Sequence, residues 1–179
     1  MTNKAILAAT LMTTTLFSAT TFAAAPITAE DVKKAQAEWA EAIVAIGKTK
    51  GNGETSQKTA RDVIERLYAY SEGNVLFKPT KAMEDQFRET EREALSYFVG
   101  GSIKEDKGFA LQPWSKVRFA DDAQVFIDGD SAISMGNYYF TDADSGKEVK
   151  VEFTFGYKRA ENDRLVIFLH HSSLPYQAH

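Results

Sequence analysis

The strongest constraint in this sequence is a strict alternation of side chains over residues 149–157. Every second residue there is apolar, and the residues between them are charged, polar or glycine. The apolar members are Val149, Val151, Phe153, Phe155 and Tyr157. Because successive side chains of a strand point to opposite faces, this period of two predicts a β-strand with one buried and one exposed face.

Turn-like segments flank this strand on both sides. Residues 142–146 join it to a predicted strand at 132–141, and residues 161–163 join it to another at 164–173. Three strands connected by short turns predict an antiparallel meander. Further short strands are predicted at 117–119 and 124–127.

The first half of the chain has helical periodicity instead. Thr28 is a suitable N-cap for a helix that the glycines at 51 and 53 would end. Two more helices are predicted at 56–70 and 81–99, with a short strand at 74–78 between them. Helices followed by strands predict an α+β domain, in which a curved antiparallel sheet bends around the N-terminal helices and leaves a cavity.

The N-terminus has the three parts of a secretory signal. Lys4 is the only charge before Glu30, an uncharged run begins at Ala5, and small residues close it at 23–25. We predict cleavage after Ala23, a single mature domain over residues 24–179, and a periplasmic location in a Gram-negative bacterium. A retained membrane anchor is the alternative, but the six threonines in residues 10–21 make the run a poor spanning helix.

Composition excludes several classes of function. The chain carries 21 basic and 25 acidic residues, with a formal net charge of −4 and no basic run. It is therefore a poor candidate for binding nucleic acid or an anionic membrane, and a small molecule or a second copy of the chain is the better partner. The absence of cysteine removes disulfides, thiolate nucleophiles and zinc–sulfur sites.

Four polar residues, 170–173, follow an apolar run at the end of the last predicted strand. Alternation puts His170 and Ser172 on one face and His171 and Ser173 on the other. Buried polar groups need partners, so these residues form either a structural hydrogen-bond network or a functional site. Spacing alone leaves both readings open.

The stretch from His170 to Pro175 resembles the end of the calcium/calmodulin-dependent kinase II association domain, a member of the NTF2-like superfamily of cone-shaped folds. Five other segments resemble the iota class of carbonic anhydrases within that superfamily. They are Phe-Lys-Pro-Thr at 77–80, Ala-Leu-Ser-Tyr-Phe-Val-Gly-Gly at 94–101, Asp-Lys-Gly-Phe-Ala at 106–110, Met-Gly-Asn-Tyr-Tyr-Phe at 135–140 and Val-Glu-Phe-Thr-Phe-Gly-Tyr at 151–157. The resemblance implies an NTF2-like cone that hydrates carbon dioxide.

The same resemblance implies a set of site residues. Thr80, Tyr97 and Ser172 match the threonine, tyrosine and serine that contact the substrate, and an alignment shifted by one would choose Ser173. The full set expected to bind substrate is Thr80, Tyr97, Ser172, Ser173, His171 and Tyr139. We assign the proton-accepting role to His170 from its face of the strand, because the pKa of an unperturbed histidine lies near physiological pH.

Each of these residues also has a structural interpretation. Thr80 could cap the third helix, and Tyr97 lies on a helical stripe with Phe87 and Ala94 that could simply be core. Tyr138 and Tyr139 point to opposite faces, so one could line the cavity and the other an interface.

The histidines do not predict a zinc site. His170 and His171 are strand neighbours that face opposite ways, and His179 is the last residue. We therefore expect no metal cofactor, with zinc or manganese as the alternative.

The expected function is the reversible hydration of carbon dioxide to bicarbonate by a homodimer that uses hydroxyl side chains. One alternative is an NTF2-like domain that binds a small molecule or acts as an isomerase, which would need a buried carboxylate; Glu152 and Asp142 do not look buried. The other is an oligomerisation module. We expect pairing through the sheet, where either the helices or a partner must cover Phe153 and Phe155.

Overall fold

A computed structural model describes residues 25–160 and 163–178 of the chain. These residues form three α-helices and six β-strands, together with two short 3₁₀ turns. The helices are α1 (Ala29–Gly47), α2 (Gly53–Leu67) and α3 (Glu91–Val99). The strands are β1 (Leu76–Lys78), β2 (Trp114–Phe119), β3 (Gln124–Asp128), β4 (Ser131–Asp142), β5 (Glu148–Arg159) and β6 (Leu165–Ser173). The predicted signal at 1–23, part of the predicted turn at 161–163, and His179 lie outside the described residues.

The first two helices begin at side-chain caps. The Thr28 hydroxyl accepts from the backbone N–H of Asp31, whose carboxylate accepts from the backbone N–H of Thr28. This reciprocal pair is a capping box, and it confirms the predicted start of α1. Asn52 caps α2, which ends at Leu67 because Tyr68 turns to extended backbone and pairs with Ile167 of β6.

The six strands form one sheet in the order β1-β6-β5-β4-β2, with β3 also pairing with β4. The meander of β4, β5 and β6 is antiparallel, as predicted. The sheet as a whole is mixed, because β1 lies parallel to β6 at one edge. β4 is 12 residues long, so its first half pairs with β3 and its second half with β2.

The inner face of the sheet is aromatic and packs around one residue of α1. Trp39 lies with its ring centroid 5.4 Å from that of Phe155 and 5.7 Å from that of Tyr138. Phe153 and Phe155 are fully buried within this chain. The N-terminal helices, rather than a partner, therefore cover the apolar face of β5.

The third helix is shorter than the predicted 81–99. It starts only at Glu91, because Thr90 and Glu93 form a capping box that fixes its first turn. It ends at Gly100, as predicted, where φ is +80°. Phe87, assigned to a helical stripe with Tyr97, instead lies on the irregular segment before α3 and is 56% exposed. Thr80 therefore does not cap α3.

Two side chains hold that irregular segment, residues 79–90. They are the buried guanidinium of Arg88 and the carboxylate of Glu105. The Arg88 guanidinium is fully buried and donates to Oδ1 of Asp106 at 2.6 Å and to the carbonyl of Asp85 at 2.6 Å. The carboxylate of Glu105 accepts backbone N–H groups of residues 83–85. These contacts fix the path of residues 79–90, which directly follow β1, although the segment has no regular secondary structure.

Within the described part of the chain, no helix combines the length and the apolar character needed to cross a bilayer.

Replacing Arg88 should destabilise the fold strongly. Arg88→Met leaves the buried carboxylate of Asp106 without its partner, so we expect a loss of about 3–5 kcal/mol in the free energy of unfolding, measured by urea denaturation. Arg61→Met is the matched control, because Arg61 pairs with Glu91 at 3.6 Å on the surface and its loss should cost no more than about 1 kcal/mol. Equal losses in the two variants would contradict a structural role for the buried pair.

Candidate active site

The last strand carries the centre of the candidate site on its inner face. His170 and Ser172 are 3% and 2% exposed, and they lie opposite Phe155 and Phe153 of β5. The alternation predicted for residues 170–173 is therefore confirmed. Tyr138 of β4 is buried on the same face, and its hydroxyl makes a short hydrogen bond with the Ser172 hydroxyl.

Both ring nitrogens of His170 are occupied. Nε2 lies 3.0 Å from Oγ of Ser172, and Nδ1 lies 2.8 Å from the hydroxyl of Tyr68. The Tyr68 oxygen in turn accepts from Nε1 of Trp39 at 2.9 Å. The extended backbone of Tyr68 beside β6 places this phenol directly under the histidine.

The other end of this series lies beside Thr80. The Tyr138 hydroxyl is hydrogen-bonded to Ser172, and the nearby side chain of Thr80 acts to lower the pKa of this phenol, against the larger effect of burial. Thr80 is only half-buried and follows β1, so the series runs from the core to the edge of a cavity. We call these residues the hydroxyl chain. Its members are Trp39, Tyr68, His170, Ser172, Tyr138 and Thr80.

The surroundings of His170 keep its ring neutral. Phe77 stacks on it at 4.6 Å between ring centroids, and Phe155 lies at 4.1 Å. Burial among these rings lowers the pKa of His170 well below its ordinary value, because the charged imidazolium loses its hydration. Such a ring is a weak base near neutral pH, and both its nitrogens are already bonded within the core. The structure therefore argues against the proton-accepting role that we expect from the sequence.

Tyr97 of α3 brings a second phenol to the same place. Its hydroxyl accepts from the backbone N–H of Lys81 at 3.4 Å, next to Thr80, and its ring stacks on Phe109 at 5.4 Å. Burial raises the pKa of Tyr97 and of Tyr138 above that of a free phenol. Both hydroxyls thus stay protonated at physiological pH and can donate hydrogen bonds.

Two adjoining cavities open beside these hydroxyls. One, of about 270 Å³, is lined by Thr80 and by apolar rings of β2 and β4, including Trp114 and Phe140. The other, of about 260 Å³, is lined by Tyr97. They share Lys81, Phe109 and Gln112, and Nζ of Lys81 donates to Oε1 of Gln112 at 2.6 Å between them. A groove of about 350 Å³ between α1 and β2 is larger, but no member of the hydroxyl chain lines it.

The structure thus brings together Thr80, Tyr97, Ser172 and His170 from the expected set. Three other expected residues lie on the outer face of the sheet. His171 is exposed, Ser173 donates to Oε2 of Glu152 at 3.0 Å, and Tyr139 lies against the guanidinium of Arg118 at 3.9 Å from its ring centroid. They cannot reach the cavity of this chain, because a period of two turns each away from its buried neighbour.

The expected site set left out three members of the hydroxyl chain, Trp39, Tyr68 and Tyr138, although the sequence had left open which of Tyr138 and Tyr139 lines the cavity. Tyr138 had a usable signal, since it shares its side of β4 with Phe140 and opposes the buried Val151. Trp39, on α1, and Tyr68, which follows α2 in extended backbone, had none, because only packing brings them under β6.

The available side chains do not form a metal site. His170 has no free nitrogen, and His171 faces the opposite side of the sheet. Among residues 25–160 and 163–178, no group of three histidine or carboxylate side chains is placed to hold an ion. Asp106, a buried carboxylate that lines the cavity with Tyr97, is paired with Arg88 rather than free to act as a base. Glu152 is exposed, as expected.

Known proteins share this architecture. The solved structure of a nuclear transport factor 2 (NTF2-like) superfamily protein from Salmonella enterica serovar Typhimurium LT2 matches with a TM-score of 0.51 and 12% identity, over 84% of this chain and 92% of that one. At that identity the match shows the fold alone, and it confirms the predicted NTF2-like cone.

Closer relatives are more specific. The crystal structure of an iota-carbonic anhydrase from a cyanobacterium, complexed with bicarbonate, matches with a TM-score of 0.82 and 40% identity, over 90% of this chain and 100% of that one. A metal-independent carbonic anhydrase from Nostoc sp. (strain PCC 7120) is 45% identical over 156 residues, which cover 84% of this chain and 75% of the relative. The sequence profile of the family described as metal-independent carbonic anhydrase matches residues 30–174. Because this match spans most of the sequence, the chain belongs to the metal-independent carbonic anhydrase family.

Proposed function

We propose that this protein hydrates carbon dioxide reversibly to bicarbonate and a proton, without a metal, after export to the periplasm. The observation that carries the proposal is the hydroxyl chain, which ends at Thr80 beside Tyr97 on the wall of an aromatic cavity. The relative whose structure contains bicarbonate supports the choice of substrate.

The cavity provides two environments for this reaction. Carbon dioxide is apolar and fits against the rings of Phe109, Trp114 and Phe140. A water oxygen attacks its carbon, one C–O bond forms, and an electron pair of the carbon–oxygen double bond moves onto oxygen. The proton released by the water leaves to solvent at the open mouth of the cavity.

Hydroxyl donors stabilise the charge that develops on oxygen. Thr80 and Tyr97 line the two cavities, while Ser172 lies behind Tyr138 and acts through it. Preformed donors in a site with little water are worth more than the same donors in bulk solvent. Because the phenols of Tyr97 and Tyr138 keep their protons, they remain donors through the physiological pH range.

A carbon dioxide hydration assay on the chain starting at Ala24 tests this function. We expect activity that is unchanged by exhaustive chelation, and elemental analysis without a stoichiometric metal, because hydroxyl groups supply the stabilisation. Loss of activity on chelation with recovery on adding zinc would contradict the metal-free mechanism. A folded protein with no hydration activity would reject the proposed function.

Matched serine and tyrosine pairs test the site residues. Tyr97→Phe should lower kcat by roughly 100- to 1,000-fold, since it removes a hydroxyl donor from the cavity wall. Ser172→Ala should also lower kcat, because it removes the hydrogen-bond partner that orients Tyr138. Ser173→Ala and Tyr139→Phe make the same chemical changes on the outer face and should leave kcat unchanged. Circular dichroism and thermal melts establish that the variants are folded.

The opposite results are also clear. Full activity in Ser172→Ala and Tyr97→Phe, with lowered melting temperatures, would make those residues structural. A large loss of activity in Ser173→Ala would instead show that the register of the site is wrong.

Export rests on the three-part N-terminus at residues 1–23. Mass spectrometry of the periplasmic fraction from a Gram-negative host should detect a chain that begins at Ala24. The same chain expressed from residue 24 is the control and should stay in the cytoplasm. Intact Met1 in the membrane fraction would indicate a retained anchor.

We propose that the protein is a homodimer that pairs through the outer face of β3 and β4. Phe126, Ile133 and Met135 share that face and are 67%, 40% and 58% exposed. Light scattering at micromolar concentration should give twice the monomer mass, and Phe126→Lys should shift it towards the monomer. Met83→Lys changes an equally exposed residue away from the sheet and should leave the dimer intact. A monomeric wild-type protein would contradict the proposal.

A further inference from the structure

The inner half of the hydroxyl chain has one arrangement of protons that gives every donor an acceptor. Nε1 of Trp39 carries a proton and can only donate, and it points at the Tyr68 oxygen at 2.9 Å. The proton of Tyr68 must therefore go elsewhere. Among the described residues, the other polar atom within hydrogen-bond distance is Nδ1 of His170, at 2.8 Å. Nδ1 accordingly accepts, and it carries no proton.

A neutral imidazole with a bare Nδ1 has its proton on Nε2. That proton points at Oγ of Ser172, 3.0 Å away. Since the Ser172 oxygen then accepts a hydrogen bond from His170, the Ser172 hydroxyl donates to Tyr138. The proton of Tyr138 is thereby left to point away from Ser172, on the side where Thr80 lies at the cavity. All the donors in the series point outward.

The reverse arrangement leaves one group unsatisfied. If His170 carried its proton on Nδ1, that N–H would point at the Tyr68 oxygen, which already accepts a hydrogen bond from Nε1 of Trp39. The Tyr68 hydroxyl proton would then be buried without an acceptor, at the cost of its lost hydration. At the cavity, the reversed series would present oxygen lone pairs instead of protons.

We propose that Tyr68 is a positioning residue, which holds His170 in the Nε2–H tautomer and thereby points the protons of Ser172 and Tyr138 toward the cavity. The catalytic consequence rests on the proposed function, because only an anion developing in the cavity benefits from donors there. The tautomer itself does not depend on that function. Carbon dioxide is neutral, so the direction of these protons affects the charged transition state more than substrate binding.

Nitrogen-15 NMR of the wild-type protein, labelled at histidine, tests the tautomer directly. We expect His170 to give one protonated and one unprotonated ring nitrogen, with the proton on Nε2. A variant with both His171→Gln and His179→Gln assigns the signals, because it leaves His170 as the one histidine of the sequence. A wild-type His170 that is protonated on Nδ1, or on both nitrogens at neutral pH, would overturn the proposal without any further variant.

Tyr68→Phe tests the positioning role. Without the hydroxyl, the single tautomer should give way to a mixture, and kcat should fall by roughly 10- to 100-fold with KM for carbon dioxide nearly unchanged. Removing the partner that orients a metal-bound histidine typically costs about 10- to 100-fold, and Tyr68 fixes the ring of His170 in the same way. Tyr70→Phe is the matched control. Tyr70 stacks on Tyr68 at 6.0 Å, but its hydroxyl donates to the carbonyl of Arg88. It should alter stability while leaving the tautomer and kcat as in the wild type.

The outcomes separate this inference from the proposed function. An inactive wild-type protein with the Nε2–H tautomer would reject the proposed function and leave the tautomer assignment standing. An active protein in which Tyr68→Phe changes the tautomer but not kcat would overturn the positioning role. A fall in kcat of Tyr68→Phe no larger than that of Tyr70→Phe would also overturn the positioning role.

Discussion

A histidine ring buried among aromatic side chains is stable only if both of its nitrogens have hydrogen-bond partners. His170 lies between Phe77 and Phe155, so its partners must come from residues that the fold delivers to that point. Tyr68 and Ser172 meet this requirement on its two sides. Each of them then needs partners of its own, which Trp39 and Tyr138 supply, and the series reaches the edge of the cavity beside Thr80.

This requirement connects the fold to its chemistry. The residues that satisfy the buried histidine are the same residues that line or support the cavity. The aromatic rings that cover them exclude water, which keeps the phenols of Tyr97 and Tyr138 protonated and strengthens any hydrogen bond they donate. A metal-free site for an apolar substrate needs two properties, an apolar lining that excludes water and hydrogen-bond donors in fixed positions. Here one set of packed residues supplies both.

The sheet also separates the site on its inner face from the outer surface, although neighbouring residues of the same type lie on the two faces. Ser172 and Ser173 are chemically identical neighbours, yet one is buried with His170 and the other bonds to Glu152 at the surface. Tyr138 and Tyr139 differ in the same way. Behind the site, the buried pair of Arg88 and Asp106 fixes the irregular segment that carries Thr80. The geometry of the donors therefore depends on a buried ion pair, whose Asp106 also lines the cavity beside Tyr97.

The sequence by itself determined the elements whose signal is local. The alternation over residues 149–157 and the cap at Thr28 predicted strand β5 and helix α1, and motif resemblance selected Thr80, Tyr97 and Ser172 as candidate site residues. Local signals were wrong where competing local chemistry prevailed, as at Thr90, whose capping box shortened α3. Only the tertiary structure decided that β1 runs parallel to β6, that Tyr138 rather than Tyr139 joins the site, and that Trp39 and Tyr68 support His170. These contacts join residues from 29 to 102 positions apart, and no local pattern encodes them because they arise only when helices and sheet pack together.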